Sequence, residues 1–323
     1  MLSAATAWKH ATPAMEDNDD DTHRTRTTAG SPGPPALVRA APWVLRATWA
    51  VLAVSAGPAY GDALAGRSRP VQVVAATGLW TAWGAGLLAS LVFMPIALTA
   101  LRLLAPAALA SSLAAGIAGN PTVAVAVAIG STTVACGLAL LPEIGAQFVN
   151  GPAYPNERRH LLAPPGPLLV GPIEAAWLAA TVLPATAALA LASRSWLLGG
   201  VLTAAAVPLA VLGARSLHGL SERWLVFVPA GIVLKDPLTL VDPVLFRRAE
   251  VAALRPAPKD SDSLDLTMGA RGLAIELLLV EKVPMVLVKA RERAGEHGRS
   301  ARLLFTPSRP GMVLADARTR HLA

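Results

Sequence analysis

The residues in this chain with the widest chemical repertoire are six histidines, one cysteine and a few charges set among long apolar runs. The histidines, at 10, 23, 160, 218, 297 and 321, never fall at ligand spacing with one another or with Cys136, so no metal centre is expected. Cys136 lies in the apolar run VACGLALL and reads as a packed thiol; a lone cysteine cannot form an intrachain disulfide. A phosphate-cradling loop needs a glycine-rich turn ending in Lys and Ser or Thr, and none occurs. GxGxxG and HExxH are absent as well. An intramembrane protease would need Ser with His, or two Asp, at bilayer depth, yet no His or Asp lies well inside an apolar run. With no positioned acid, base or nucleophile, the sequence predicts no catalytic residue, no cofactor and no enzymatic activity.

What remains are charges whose setting is costly. Arg46, Arg102, Glu143 and Glu174 fall at the margins of apolar runs, within a turn or two of a helix end. Snorkelling to the headgroup level accounts for them, whereas a side chain turned into the bundle would favour transport. Pro58, Pro106, Pro184 and Pro208 lie inside apolar runs, where each removes a backbone hydrogen bond and kinks or breaks a helix. Broken helices host substrates in many transporters, but prolines are also tolerated in membrane helices. Trp80 and Trp83 stand among Gly78, Gly84 and Gly86, a composition that points to close helix packing before any ligand pocket. The polar cluster Asn156, Glu157, Arg158, Arg159, His160 has two readings. Arg158 and Arg159 either anchor topology at the headgroups or dock onto the C-terminal domain. In that domain Lys235, Arg247, Arg248 and Arg255 are the candidate contacts for acidic headgroups or a protein partner.

The elements that must position these groups are chiefly membrane helices. Of 323 residues 54% are hydrophobic and 15% charged, against about 25% charged in soluble domains. The net charge of +7 is spread over short loops and the C-terminal part, which favours anionic lipid over nucleic acid as the counter-surface. A helix crossing about 30 Å of hydrocarbon needs roughly 20 apolar residues. Six runs qualify: 44–63, 71–93, 96–118, 122–141, 168–192 and 196–213. The second and third are parted only by Pro95 and Arg102, so five helices and six both fit; six is preferred because 48 residues make about 72 Å of helix. Lys and Arg in the short loops place both termini on the cytoplasmic side when the count is even. Residues 1–40, with the acidic run from Glu16 to Asp21 and the stretch AGSPGPP, carry few bulky apolar residues and are expected to be disordered. They lack the pattern of a signal peptide, and Met15 is an alternative start. Residues 43–216 form the expected bundle.

Beyond residue 221 the apolar runs shorten to strand length (WLVFV, GIVL, PVLF, EVAAL, LDLTM, AIELLLV, PMVLV, ARLLF) with turn chemistry between them. Leu264, Leu266 and Met268 alternate with polar residues as in a half-buried strand, and residues 308–322 can form one short helix. About seven strands and a closing helix over 221–323 is the layout of a bacterial pleckstrin-homology-like domain. RWLVFVPAGIVL, LFRRAEVAALRP and ARLLFTPSRPGMVLADARTR are similar to its first hairpin, its third strand and its strand-to-helix end. With RSRPVQVVAATGLWTAWGAG, LTALRLLAPAA and NERRHLLAPPGPLLVGP, the chain resembles a family of actinobacterial multi-pass membrane proteins of uncharacterised function. The resemblance covers most of residues 43–323. It implies a plasma-membrane location and supplies no site residue. The fold class expected is thus an α-helical transmembrane bundle followed by a small, mostly-β PH-like domain, acting as a membrane anchor or regulatory protein; the alternative is a small transporter or channel subunit.

Overall fold

The computed structural model describes residues 36–119, 122–289 and 292–322. The tail expected to be disordered lies, up to residue 35, outside these, as does the acidic run. The helices are α1 (Ala36–Ser55), α2 (Gly57–Ala65), α3 (Arg69–Leu91), α4 (Pro95–Ala118), α5 (Val123–Leu140), α6 (Pro142–Asn150), α7 (Pro172–Trp177), α8 (Leu183–Ala192), α9 (Trp196–Ser221) and α10 (Pro310–Thr319). A π-helical turn, Leu178–Val182, joins α7 to α8. Proline opens many of them, including α3, α4, α6 and α10, because the first helical N–H has no intrahelical acceptor to lose. That is why the chain breaks before Pro95 and starts a new helix there.

Among the described residues five stretches are long and apolar enough to cross a membrane: α3, α4, α5, α7 through α8, and α9. The first expected run, 44–63, is instead divided between α1 and α2. Pro58 offers no N–H to the carbonyl of Val54, so the helix is interrupted at Ala56. The flanking bonds Ala56 N–H to Leu52 O (2.9 Å) and Tyr60 N–H to Ala56 O (3.2 Å) carry the chain onward. The two pieces make the same traverse as their neighbour α3. At one end Arg46 donates to the Ser90 carbonyl (3.0 Å), and at the other Gln72 donates to carbonyls of Leu64 and Arg67. Midway, Trp49 and Trp83 exchange hydrogen bonds, each indole N–H donating to the other residue's carbonyl at 2.8 and 3.0 Å. Gly86 makes room for the Trp49 ring, since a Cβ there would lie 2.0 Å from it.

At the end of the bundle near Arg46 sits a β unit. Its strands are β1 (Arg158–Leu161), β2 (Trp224–Val228), β3 (Gly231–Lys235), β4 (Val244–Arg247), β5 (Val251–Pro256), β6 (Leu264–Asp265), β7 (Ile275–Lys289) and β8 (Glu292–Phe305). One sheet runs β1-β2-β3-β4, antiparallel throughout; the other runs β5-β7-β8-β6, with β6 parallel to β8. Helix α10 closes the core through Val313, Leu314 and Ala317. The alternation expected through Met268 stops early, because Met268 (φ 50°) and Gly269 (φ 66°) turn in the left-handed region.

The first sheet has two apolar faces, which explains why WLVFV is unbroken instead of alternating. Leu225, Phe227, Ile232, Leu234 and Phe246 point into the β core. Trp224 and Val226, with Val228 and Val233 behind them, join a second core that includes Ile144, Phe148, Leu98 and Trp49 of the helices. The β unit is therefore seated on the bundle, with α6 beneath it.

Candidate functional site

The side of the first sheet that faces the helices carries two ion pairs, Arg159 with Glu157 and Lys235 with Glu222. In the antiparallel register Arg159 pairs with Val226, Val226 with Val233, and Val233 with Leu245; one row along, Leu161, Trp224 and Lys235 are aligned. Residues in register share a face. Arg159, Trp224, Val233, Lys235, Leu245 and Arg247 thus project toward the bundle side, while Arg158 and His160 project the other way.

The Trp224 indole lies between two cations. Arg159 stands 5.3 Å from the ring centroid and Lys235 4.7 Å, each held by a carboxylate: Glu157 at 2.7 Å from Arg159 and Glu222 at 3.1 Å from Lys235. The Arg159 guanidinium, hydrogen-bonded to Glu157, is the main cause holding that carboxyl below its usual range. Burial opposes the shift, and the Tyr154 N–H and the charge of Arg159 reinforce it. Further along the same face Leu245 and Arg247 are exposed.

Strand β1 comes from the connection between α6 and α7, where the sequence shows the polar cluster from Asn156 to His160. Asn150, the last residue of α6, holds it in strand form. Its amide donates to the Arg159 carbonyl (2.8 Å) and accepts from the Arg159 N–H (2.9 Å), copying a neighbouring strand. The His160 ring meets the Asp316 carboxylate of α10 at 2.8 Å, and Arg158 approaches the same carboxylate at 3.8 Å. Burial raises the Asp316 carboxyl, but the bonded His160, its charge and those of Arg158 and Arg320 outweigh that and hold it low. Arg309 reaches Glu143 of α6 at 3.6 Å.

The deepest tie is a buried ion pair. Arg223 donates from Nε and Nη2 to the two Asp236 oxygens, both at 2.7 Å, and from Nη1 to the Ala163 carbonyl at 2.9 Å. Both side chains are out of contact with solvent. The Arg223 carbonyl in turn accepts from Leu162 N–H at 3.0 Å. One guanidinium thus binds the start of β2, the end of β3 and the chain just after β1. No local sequence pattern marks Arg223, Asp236, Asn150 or Asp316, so the sequence offers none of them as a site residue.

The four expected basic contacts do not form one patch. Lys235 and Arg247 share the bundle-facing side of the first sheet. Arg248 is exposed in the turn after β4, its N–H bonded to the Ala230 carbonyl (2.9 Å). Arg255 is on the second sheet, 2.8 Å from Glu276, which also accepts from Ser261 and Ser263 at 2.7 Å each. Burial raises the Glu276 carboxyl, and those two hydroxyls with Arg255 more than reverse it.

The marginal charges in the helices are placed too. Arg46 lies against the rings of Trp43 and Phe93, and Glu174 accepts from the Gly171 N–H at 2.8 Å, closing the first turn of α7. Arg102 stands beside Gly145 and Leu161, its Nε without a hydrogen-bond partner. Among the described residues no three His, Cys, Asp or Glu side chains converge to hold a metal ion. Comparisons with family models, curated proteins and solved structures return no match, so the site is read from its own geometry.

Proposed function

We propose that this chain is a plasma-membrane anchoring or regulatory protein that crosses the bilayer six times, α1 and α2 making one crossing, and acts through its β unit on the cytoplasmic side. The observation that carries this reading is the shared face: the side of the first sheet seated on the helices also presents exposed Arg247 and Leu245. A sheet lying against the end of a membrane bundle holds that flank at headgroup level, where each basic residue contributes about 1 kcal/mol toward anionic lipid. Two four-stranded sheets closed by a helix support a PH-like fold, with β1 borrowed from the membrane part as its departure from that plan. The β unit contacts acidic headgroups through Arg247, with Lys235 behind it, and leaves Arg248 and Arg158 on other faces for a protein partner.

The test uses the full chain in nanodiscs of phosphatidylcholine, with and without phosphatidylglycerol, read by hydrogen exchange. Protection of β4 amides should rise on anionic discs and disappear in Arg247→Glu. Equal exchange on both lipids removes the headgroup contact. The alternative, a small transporter or channel subunit, draws on the interrupted helix at Pro58 and the π turn at Leu178–Val182. Solute flux in proteoliposomes would favour it.

A further inference from the structure

The interrupted helix creates a cavity that none of the contacts above uses. Around Pro58 the chain packs onto α5, with Ala56 at the interruption and Ala59 of α2 against Val125 and Ala128. On the side toward α3 a space of about 270 Å³ remains, walled by α1, α2, α3 and α4, with Thr132 of α5 at its back. Along the first wall Trp49, Leu52, Ala56, Tyr60 and Leu64 line it at helical spacing, a stripe about 22 Å long at 1.5 Å per residue. The space is elongated along that stripe and open over part of its length, a half-open tube. It runs from the Trp49–Trp83 bond, midway along the bundle, to Leu64 in the last turn of α2, toward the end away from the β unit.

The lining decides what can fill it. Its hydroxyls are already committed: Tyr60 donates to the Ala108 carbonyl (3.2 Å), Ser111 to Ala107 (2.8 Å) and Thr132 to Ala128 (2.7 Å). A buried water needs two to four polar partners, and an otherwise apolar wall does not supply them. An empty tube of this size in a membrane bundle forfeits dispersion contacts along its whole length. The occupant that restores them is a hydrocarbon chain lying parallel to the helices. Beyond Leu64 the chain turns basic: Arg67 and Arg69, in and just after the turn between α2 and α3, are both exposed and have no acidic partner among the described residues, and Asp62 of α2 is the nearest acid in sequence.

We infer that this tube is a binding site for one chain of an anionic membrane lipid, whose phosphate meets Arg67 and Arg69. The site rests on the membrane-spanning reading, and it lies at the opposite end of the bundle from the β unit. Its ligand chemistry is a long apolar chain beneath a negative phosphate, which a phosphatidylglycerol or a polyprenyl phosphate supplies.

The experiment is photo-crosslinking of the full-length protein in phosphatidylcholine nanodiscs with a phosphatidylglycerol carrying a diazirine in its chain, the adducts mapped by peptide mass spectrometry. Adducts are expected on the Leu52–Leu64 stripe and on Leu79–Trp83. Unlabelled phosphatidylglycerol should compete about thirtyfold better than phosphatidylcholine, and about fivefold better after Arg67→Gln, because one of the two cations beyond Leu64 is then neutral. A polyprenyl phosphate that outcompetes phosphatidylglycerol assigns the chain to that source. Ala107→Phe should fill the tube and abolish the adducts. Ala53→Phe does so from the opposite wall if the first variant fails to fold. Adducts scattered over the lipid-facing helices, or unchanged in both filled variants, overturn the site. Equal competition by both phospholipids overturns the anionic assignment. A chain that does not remain in the discs refutes the membrane reading itself.

Discussion

Replacing Asp236 with alanine tests whether the β unit is clamped to the bundle or merely rests on it. In the native protein the Arg223 guanidinium makes two 2.7 Å bonds to Asp236 and one 2.9 Å bond to the Ala163 carbonyl, with both side chains shut away from water. The alanine variant leaves a cation in an apolar layer with a single neutral acceptor. Removing one partner of a buried pair costs about 3–5 kcal/mol, most of it from the stranded charge and little from the two bonds themselves. Hydrogen exchange on the full chain in micelles reads this locally. The Leu162 amide, bonded to the Arg223 carbonyl, should exchange roughly a hundredfold faster or more, at about 1.4 kcal/mol per factor of ten. The paired replacement Arg223→Met with Asp236→Leu strands no charge and should restore most of that stability. An acceleration below about fivefold in Asp236→Ala, or a double variant as damaged as the two singles summed, would refute the reasoning.

Two further expectations concern other points of the same architecture. The Asp316 carboxyl is held low by His160, Arg158 and Arg320, so the unfolded chain binds the extra proton first as pH falls. The stabilisation it gives to β1 and α10 is complete above about pH 4, is lost as pH drops through the folded value, and should vanish in Asp316→Asn, measured as β1 exchange against pH. Gly213 of α9 lies so close to α7 that a Cβ there would stand 2.4 Å from the Ala176 carbonyl. Gly213→Leu should therefore force the two helices apart and lower stability by about 1–3 kcal/mol or more in thermal melts, whereas Gly200→Leu, facing open space, should be nearly neutral.

Why some of this could be read from the sequence and some could not follows from range. The break before Pro95 was legible because proline acts on its own residue and the turn before it. At Pro58 the sequence offers a kink or a break without deciding between them, since apolar composition is the same on both sides and only geometry distinguishes a kink from an end. Strand β1 was hidden for a different reason. RRHL is short and charged, and what makes it a strand is pairing with residues more than sixty positions later, together with the Asn150 amide. The partners of the basic candidates are hidden in the sequence for a related cause. Lys235 and Arg255 are matched by acids 13 and 21 residues away, through pairings that only the sheet register creates.

The seam also constrains how the protein can work. A reader domain on a flexible linker would sample headgroups independently of the helices that anchor it. Here Trp224 and Val226 share one apolar core with Ile144, Phe148 and Trp49, and Trp49 belongs to the helix that forms the first wall of the tube. Trp49 is in turn tied to α3 through its reciprocal bonds with Trp83. A close-packed core does not deform continuously, so a shift of α1 must either carry the sheet with it or open the core. Two sites joined in this way influence each other only if occupancy of one changes the energy difference between two arrangements of the shared core. Trp49, Leu52, Trp83 and Leu104 line the tube and also belong to or pack against that shared core, so the difference would be carried by this group of side chains.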